Sequence, residues 1–190
     1  MPIKQRLYTV DELWKIATQP QNADRRLELI YGVIHEKMSP SFLPSAIAML
    51  IGRFILEYLE KHPIGYITGA DGGYVFSKNT KLIPDVGYIS KQRMPEFPDR
   101  EVPVPPDLAI EVVSPTDVKK EVQGKVKLYL QHGTKIVWVV YPDTQTVEVY
   151  RPSETEEADM LSLTLDDWLE GGDVLPDFKL AINRIFPKEA

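Results

Sequence analysis

An α/β domain with a mixed central sheet is what this chain predicts, and three observations carry the expectation. Apolar spacing alternates between the helical and the strand period in the order helix, strands, helix, strands. The stretch LAIEVVSP, Leu108–Pro115, is apolar on both parities, as in a central strand covered above and below. With 190 residues the chain is expected to fold as one domain, residues 1–190, large enough for a hydrophobic core.

The elements follow in order. Thr9-Val10-Asp11-Glu12 has the form of a capping box and opens a short helix to about Thr18. QPQNAD is a turn, and RRLELIYGVIHEKMS reads as two strands bending at Gly32. From Ser45 to Lys61, Ile47, Leu50, Ile51, Phe54, Ile55, Tyr58 and Leu59 have amphipathic-helix spacing, stopped by HPIG. Strands are expected near Gly65–Ala70, Gly73–Ser77 and Leu82–Ser90. MPEFPDREVPVPPD is a loop, because its prolines cannot donate ladder bonds. After LAIEVVSP comes a second long helix, Asp117–Gln131, ending near Gly133. Lys135–Tyr141, Thr146–Arg151 and Met160–Thr164 are then strands, the first two joined at PDTQ. The closing DDWLEGGDVLPDFKLAINRIF is mixed.

Composition excludes several classes. With 43% hydrophobic and 26% charged residues, the chain is not expected to be disordered. It has no cysteine, which rules out a disulfide scaffold, thiolate zinc sites and a cysteine nucleophile, and fits a reducing, cytoplasmic setting. The opening MPIKQRLYTVDELWK has no apolar leader, and no apolar run reaches about 18 residues, so neither a signal peptide nor a membrane span is expected. A net charge of −6 argues against a protein that coats nucleic acid through its overall field. It leaves room for a local basic groove or a cation-screened acidic site.

Glu111 stands inside the most apolar strand, where an ionised side chain needs a partner or a cation. Two further acids lie in strand-like segments: Asp85 after Pro84 in LIPDVGYIS, and Glu28 between Leu27 and Leu29. On a helical projection of DVKKEVQGKVKLYLQ, Val118, Val122, Val126 and Tyr129 define an inward face. Lys125 falls beside Val118 and Tyr129, whereas Lys119, Lys120 and Lys127 lie at its edge or away from it. That helix begins directly after the Glu111 strand, so its inward lysine packs back over the acids. Carboxylates converging with an ammonium suit Mg²⁺ or Mn²⁺, hard cations that prefer oxygen. Such an ion can polarise a phosphodiester and acidify a water. The competing reading is a buried structural cluster of ion pairs.

These residues carry a resemblance. Pro84-Asp85, followed by Glu111 after 26 positions, resembles the PD-(D/E)XK nuclease superfamily. LELIYGVI, PDVGYIS, PPDLAIEVVSPTD, KVKLYLQHGTKIVWVVYPDTQTVEVYRP and LPDFKLAINRIF together resemble its Uma2 branch of restriction-endonuclease-like proteins, from about Thr9 to Phe186. The resemblance implies an αβββαβ core and divalent-metal-dependent cleavage of DNA. It makes Asp85 and Glu111 metal ligands, with the Val112 carbonyl as a third, and Glu28 a helper acid. The superfamily's lysine belongs two residues after Glu111, where this chain has Val113. In the Uma2 branch it has moved to the next helix, at Lys125. That branch often carries a histidine ahead of the long first helix, where this chain has Pro44.

Other signals are weaker. His35, His62 and His132 lack ligand spacing and read as surface or turn residues. Gly124-Lys125 lacks the rest of a phosphate-binding loop. Arg25, Arg26, Lys119 and Lys120 read as solvated charges, and Trp14, Trp138 and Trp168 as core or interface packing. Exposed strands late in the chain point to a homodimer. The function expected is a metal-dependent endodeoxyribonuclease; the alternative is a silent nuclease fold that binds nucleic acid or a protein partner.

Overall fold

The computed structural model describes residues 6–38, 41–154 and 158–187. The opening MPIKQ, part of the stretch in which no apolar leader is expected, and Ser39, at the end of the expected second strand, lie outside the described residues. In chain order the first elements are α1 (Val10–Ala17), β1 (Leu27–Ile30), β2 (Val33–Glu36), α2 (Phe42–Lys61), β3 (Gly65–Thr68) and β4 (Tyr74–Ser77). There follow β5 (Thr80–Leu82), β6 (Val86–Ser90), β7 (Leu108–Val112), α3 (Lys119–Gln131) and β8 (Ile136–Tyr141). The chain closes with β9 (Thr146–Arg151), β10 (Asp159–Leu163), β11 (Trp168–Glu170) and β12 (Lys179–Ala181).

A six-stranded mixed sheet of order β10-β9-β8-β7-β6-β3 forms the centre, flanked by helices. Its β7 and β8 run parallel because α3 makes the crossover between them, and the other neighbours are antiparallel. Strand parity sorts the side chains of β7. Leu108, Ile110 and Val112 join Ile47, Ile51 and Ile55 of α2 in the larger core, while Ala109 meets Val122, Val126 and Tyr129 of α3 on the opposite face. Glu111 shares the parity of Ala109, so it lies under α3.

The expected strand Leu82–Ser90 is two strands. Pro84 has no amide to donate, and at Ile83-Pro84-Asp85 the chain leaves a four-stranded sheet, order β2-β1-β5-β4, and enters the central one. In the four-stranded sheet β1 and β2 form a hairpin whose central residues, Tyr31 and Gly32, have φ of 49° and 82°. Both positive values belong to the tight turn that matches strand twist. A Cβ at residue 32 would meet the Leu7 Cβ at 2.9 Å, so glycine is required twice over.

Two helix expectations need correction. α2 starts at Phe42 rather than Ser45, because Pro44 sits in the first turn, where its missing amide is not needed. At that length, α2 is long and apolar enough to cross a membrane, against the sequence reading. Its Ile47, Ile51, Phe54 and Ile55 pack against the sheet. Val118, placed on the inward face of the second long helix, is the residue before α3 and is exposed. Val122, Val126 and Tyr129 do face inward, and all three are buried.

The mixed tail folds back onto the larger core. β11 and β12 pair antiparallel, and Leu175, Phe178, Leu180, Ile182 and Ile185 are buried with Trp138, whose ring stacks near Phe178. Trp168 is exposed, and Trp14 lies beneath the Arg100 guanidinium. His62 and His132 terminate α2 and α3, and His35 lies within β2.

Candidate active site

Three carboxylates and two ammonium groups meet where the two sheets join under α3. Glu28 comes from β1, Asp85 from the sheet switch, Glu111 from β7, Lys125 from α3 and Lys37 from just past β2. All five line one cavity of about 710 Å³. The structure therefore brings together Glu28, Asp85, Glu111 and Lys125, with Val112 on the cavity wall.

Each carboxylate divides its oxygens in the same way. One is tied to a fixed donor of the fold and the other takes an ammonium. Glu28 Oε1 accepts the Ile83 amide at 2.9 Å, and Oε2 pairs with Lys125 Nζ at 2.7 Å. Asp85 Oδ2 accepts the Val112 amide at 2.8 Å, and Oδ1 takes Lys37 Nζ at 2.9 Å. Glu111 Oε1 accepts the Tyr129 hydroxyl at 2.6 Å, and Oε2 takes Lys37 Nζ at 3.3 Å. Lys37 completes its three donations on the Ile83 carbonyl at 2.8 Å. The sheet switch thus contributes an amide and a carbonyl from one residue, Ile83, to opposite sides of the site.

Burial and charge oppose one another throughout. Burial would lower the pKa of Lys37, but the fields of Glu111, Asp85 and Glu28 outweigh it and raise the ammonium above the usual lysine range. Lys125 is also pulled down by burial and held above its ordinary value by Glu111 and Glu28. Burial pushes Asp85 up, the neighbouring Glu111 charge adds to it, and Lys37 only partly offsets them. Glu111 feels the same burial, yet Lys37, Lys125 and the Tyr129 hydroxyl hold it below the normal glutamate value. Burial and Glu111 raise Tyr129 well above the phenol range, so it remains a donor.

Lys37 was not legible as a site residue, although a signal existed. The Tyr31-Gly32 turn sets the register Glu28↔His35. Lys37, two residues beyond His35, therefore continues the face of the hairpin that carries Glu28. Tyr129 was legible as inward-facing, one helical turn after Lys125, but not as a partner of Glu111. Pro44, where the branch pattern has a histidine, is buried in the first turn of α2.

The donor set suits a hard cation. Ile83 O, Asp85 Oδ1 and Glu111 Oε2 are all hard oxygens, and they already converge on one positively charged atom, Lys37 Nζ. Among the described residues no group of three or more His, Cys, Asp or Glu side chains could hold a metal, so any such set would rest on two carboxylates completed by main-chain oxygen or water.

Comparison with known proteins identifies the family. The family model Uma2, described as "Putative restriction endonuclease", matches residues 10–183. The chain belongs to the Uma2 family. The crystal structure of a "putative nuclease belonging to DUF820" from Anabaena variabilis ATCC 29413 superposes with a TM-score of 0.77 at 26% sequence identity, over 94% of this chain and 97% of that one. No curated protein matches. The Uma2 description and the fold of this neighbour support a nuclease, and the mixed sheet with flanking helices is the architecture they share.

Proposed function

We propose that this Uma2 protein is a divalent-metal-dependent endodeoxyribonuclease that hydrolyses phosphodiester bonds in the cavity between the two sheets. One observation carries the reading: Asp85 and Glu111 each anchor one oxygen to the fold and aim the other at a shared cationic point. A structural ion pair needs no such convergence, whereas a cation seat does.

Asp85 and Glu111 would hold Mg²⁺ or Mn²⁺ with a main-chain carbonyl, that of Val112 by the family pattern or that of Ile83 by position. Such an ion polarises the phosphodiester and acidifies a water. The chain's own residues do the rest. Glu28 holds the Lys125 ammonium at the cavity wall, where it orients a phosphate and offsets charge developing on the phosphoryl oxygens. Val112 and Tyr129 keep the two carboxylates from rotating. The absence of cysteine fits action in the cytoplasm, and the half-exposed Met160 and Leu161 on edge strand β10 fit a homodimer that light scattering would detect.

The second reading, a silent nuclease fold that binds nucleic acid or protein, is favoured by the ammonium of Lys37 filling the same seat. Incubating supercoiled plasmid with Mg²⁺ or Mn²⁺ separates the two. Nicking and linearisation are expected from the wild type and not from Asp85→Ala; equal cutting by both would trace the activity to a contaminant. Glu111→Gln should also lose its Mn²⁺ isotherm in calorimetry while keeping its circular dichroism spectrum. Persistence of a tight isotherm in that variant would remove Glu111 as a ligand.

A further inference from the structure

We infer that Lys37 is an exchangeable occupant of the cation seat: it neutralises Asp85 and Glu111 in the metal-free protein and must withdraw for a divalent ion to bind. The inference rests on the metal-dependent reading above and adds to it a residue that neither the superfamily motif nor the helix projection identifies.

The geometry is that of a filled ion site. Lys37 Nζ sits 2.8 Å from the Ile83 carbonyl, 2.9 Å from Asp85 Oδ1 and 3.3 Å from Glu111 Oε2. An ammonium has three donors, and all three are used. A hard divalent ion would take the same oxygens at about 2.1 Å, so the two cations cannot share the point. Charge balance also favours exchange. Glu28, Asp85 and Glu111 bring three negative charges against the two positive charges of Lys37 and Lys125, and replacing one ammonium by a dication brings the cluster to neutrality. Adding the ion beside both lysines would leave it positive and place like charges in contact.

The lysine has a way out. It follows the last residue of β2, with its amide donating to the Arg26 carbonyl at 2.8 Å, and its neighbours Glu36 and Met38 are exposed along the cavity lining. Four methylenes let the head move from seat to rim without breaking the hairpin. Lys125, borne mid-helix on α3, is paired with Glu28 at 2.7 Å and lies outside the three-oxygen seat.

Two measurements on the full chain test this. The first is Mn²⁺ calorimetry of wild type, Lys37→Met and Lys125→Met. Lys37→Met should bind about tenfold more tightly than wild type, the gain expected when a seat open roughly a tenth of the time becomes permanently open. Lys125→Met, which removes a neighbouring charge without emptying the seat, should tighten binding by clearly less. The second is reductive methylation of wild-type lysines read by mass spectrometry. Lys37, shielded without metal, should label several-fold faster once Mn²⁺ is added, while Lys125 stays slow. Equal affinities in wild type and Lys37→Met, equal gains in both variants, or unchanged Lys37 labelling with Mn²⁺ bound would each overturn exchange and leave the metal site standing. Absence of Mn²⁺ binding in all three proteins would overturn both exchange and the metal-dependent reading.

Discussion

Glu111 splits its oxygens between Tyr129 and Lys37, and that division is what lets a charged side chain survive in a strand covered on both faces. Tyr129→Phe removes one donor and leaves a buried carboxylate oxygen unsatisfied. It should cost about 2 kcal/mol in urea unfolding; an unchanged midpoint would show the hydroxyl to be idle. Asp107 offers a cleaner titration away from the cavity. It accepts the Ser90 amide at 2.8 Å and pairs with Arg93 at 3.1 Å. Burial alone would raise its pKa, but these donors outweigh it and hold the carboxyl below the ordinary aspartate value. A depressed folded pKa means that the stabilisation is complete above the unfolded value and is lost as pH falls through the folded one. Wild type should therefore exceed Asp107→Asn in stability at neutral pH, and the gap should close on acidification towards and below pH about 4. A gap that widened with acid would reverse the assignment.

At the scale of elements, β7 and α3 were the most legible. LAIEVV is apolar on both parities, and a strand with that pattern has one place in a sheet, the middle. Lys125 could be placed because helical periodicity is indifferent to what the other elements do. The sheet switch went unread although Pro84 marks it, since strand composition resumes directly in VGYIS and only the pairing partners change. Lys37 was missed for a related reason: its position depends on hairpin register, which follows from a turn conformation rather than from composition. That turn makes its own prediction. Gly32→Ala forces a side chain onto φ of 82° and against Leu7, and should cost about 1–2 kcal/mol. The same substitution at Gly124, where an added Cβ meets nothing within 4 Å on a helix, should stabilise by about 0.5–1 kcal/mol. Urea titration of both variants checks the contrast, and like signs would refute it.

For the whole molecule, the tail matters more than its irregular sequence implies. Leu175 is fully buried in the larger core, on the face of the sheet opposite the carboxylates. Leu175→Ala should destabilise by about 2–5 kcal/mol while leaving the metal isotherm per folded molecule intact. A variant that lost metal affinity in step with stability would mean that the two faces are not independent.

The Ile83 backbone, held by Glu28 through its amide hydrogen and by Lys37 through its carbonyl oxygen, stitches the seam between the sheets. Neither sheet owns a working set of charges. A nascent chain with only one of them formed carries scattered acids and no assembled cluster, so the site arrives with the last docking event and not before. Under the proposed nuclease activity, such late arming would hold back cleavage until the fold is complete.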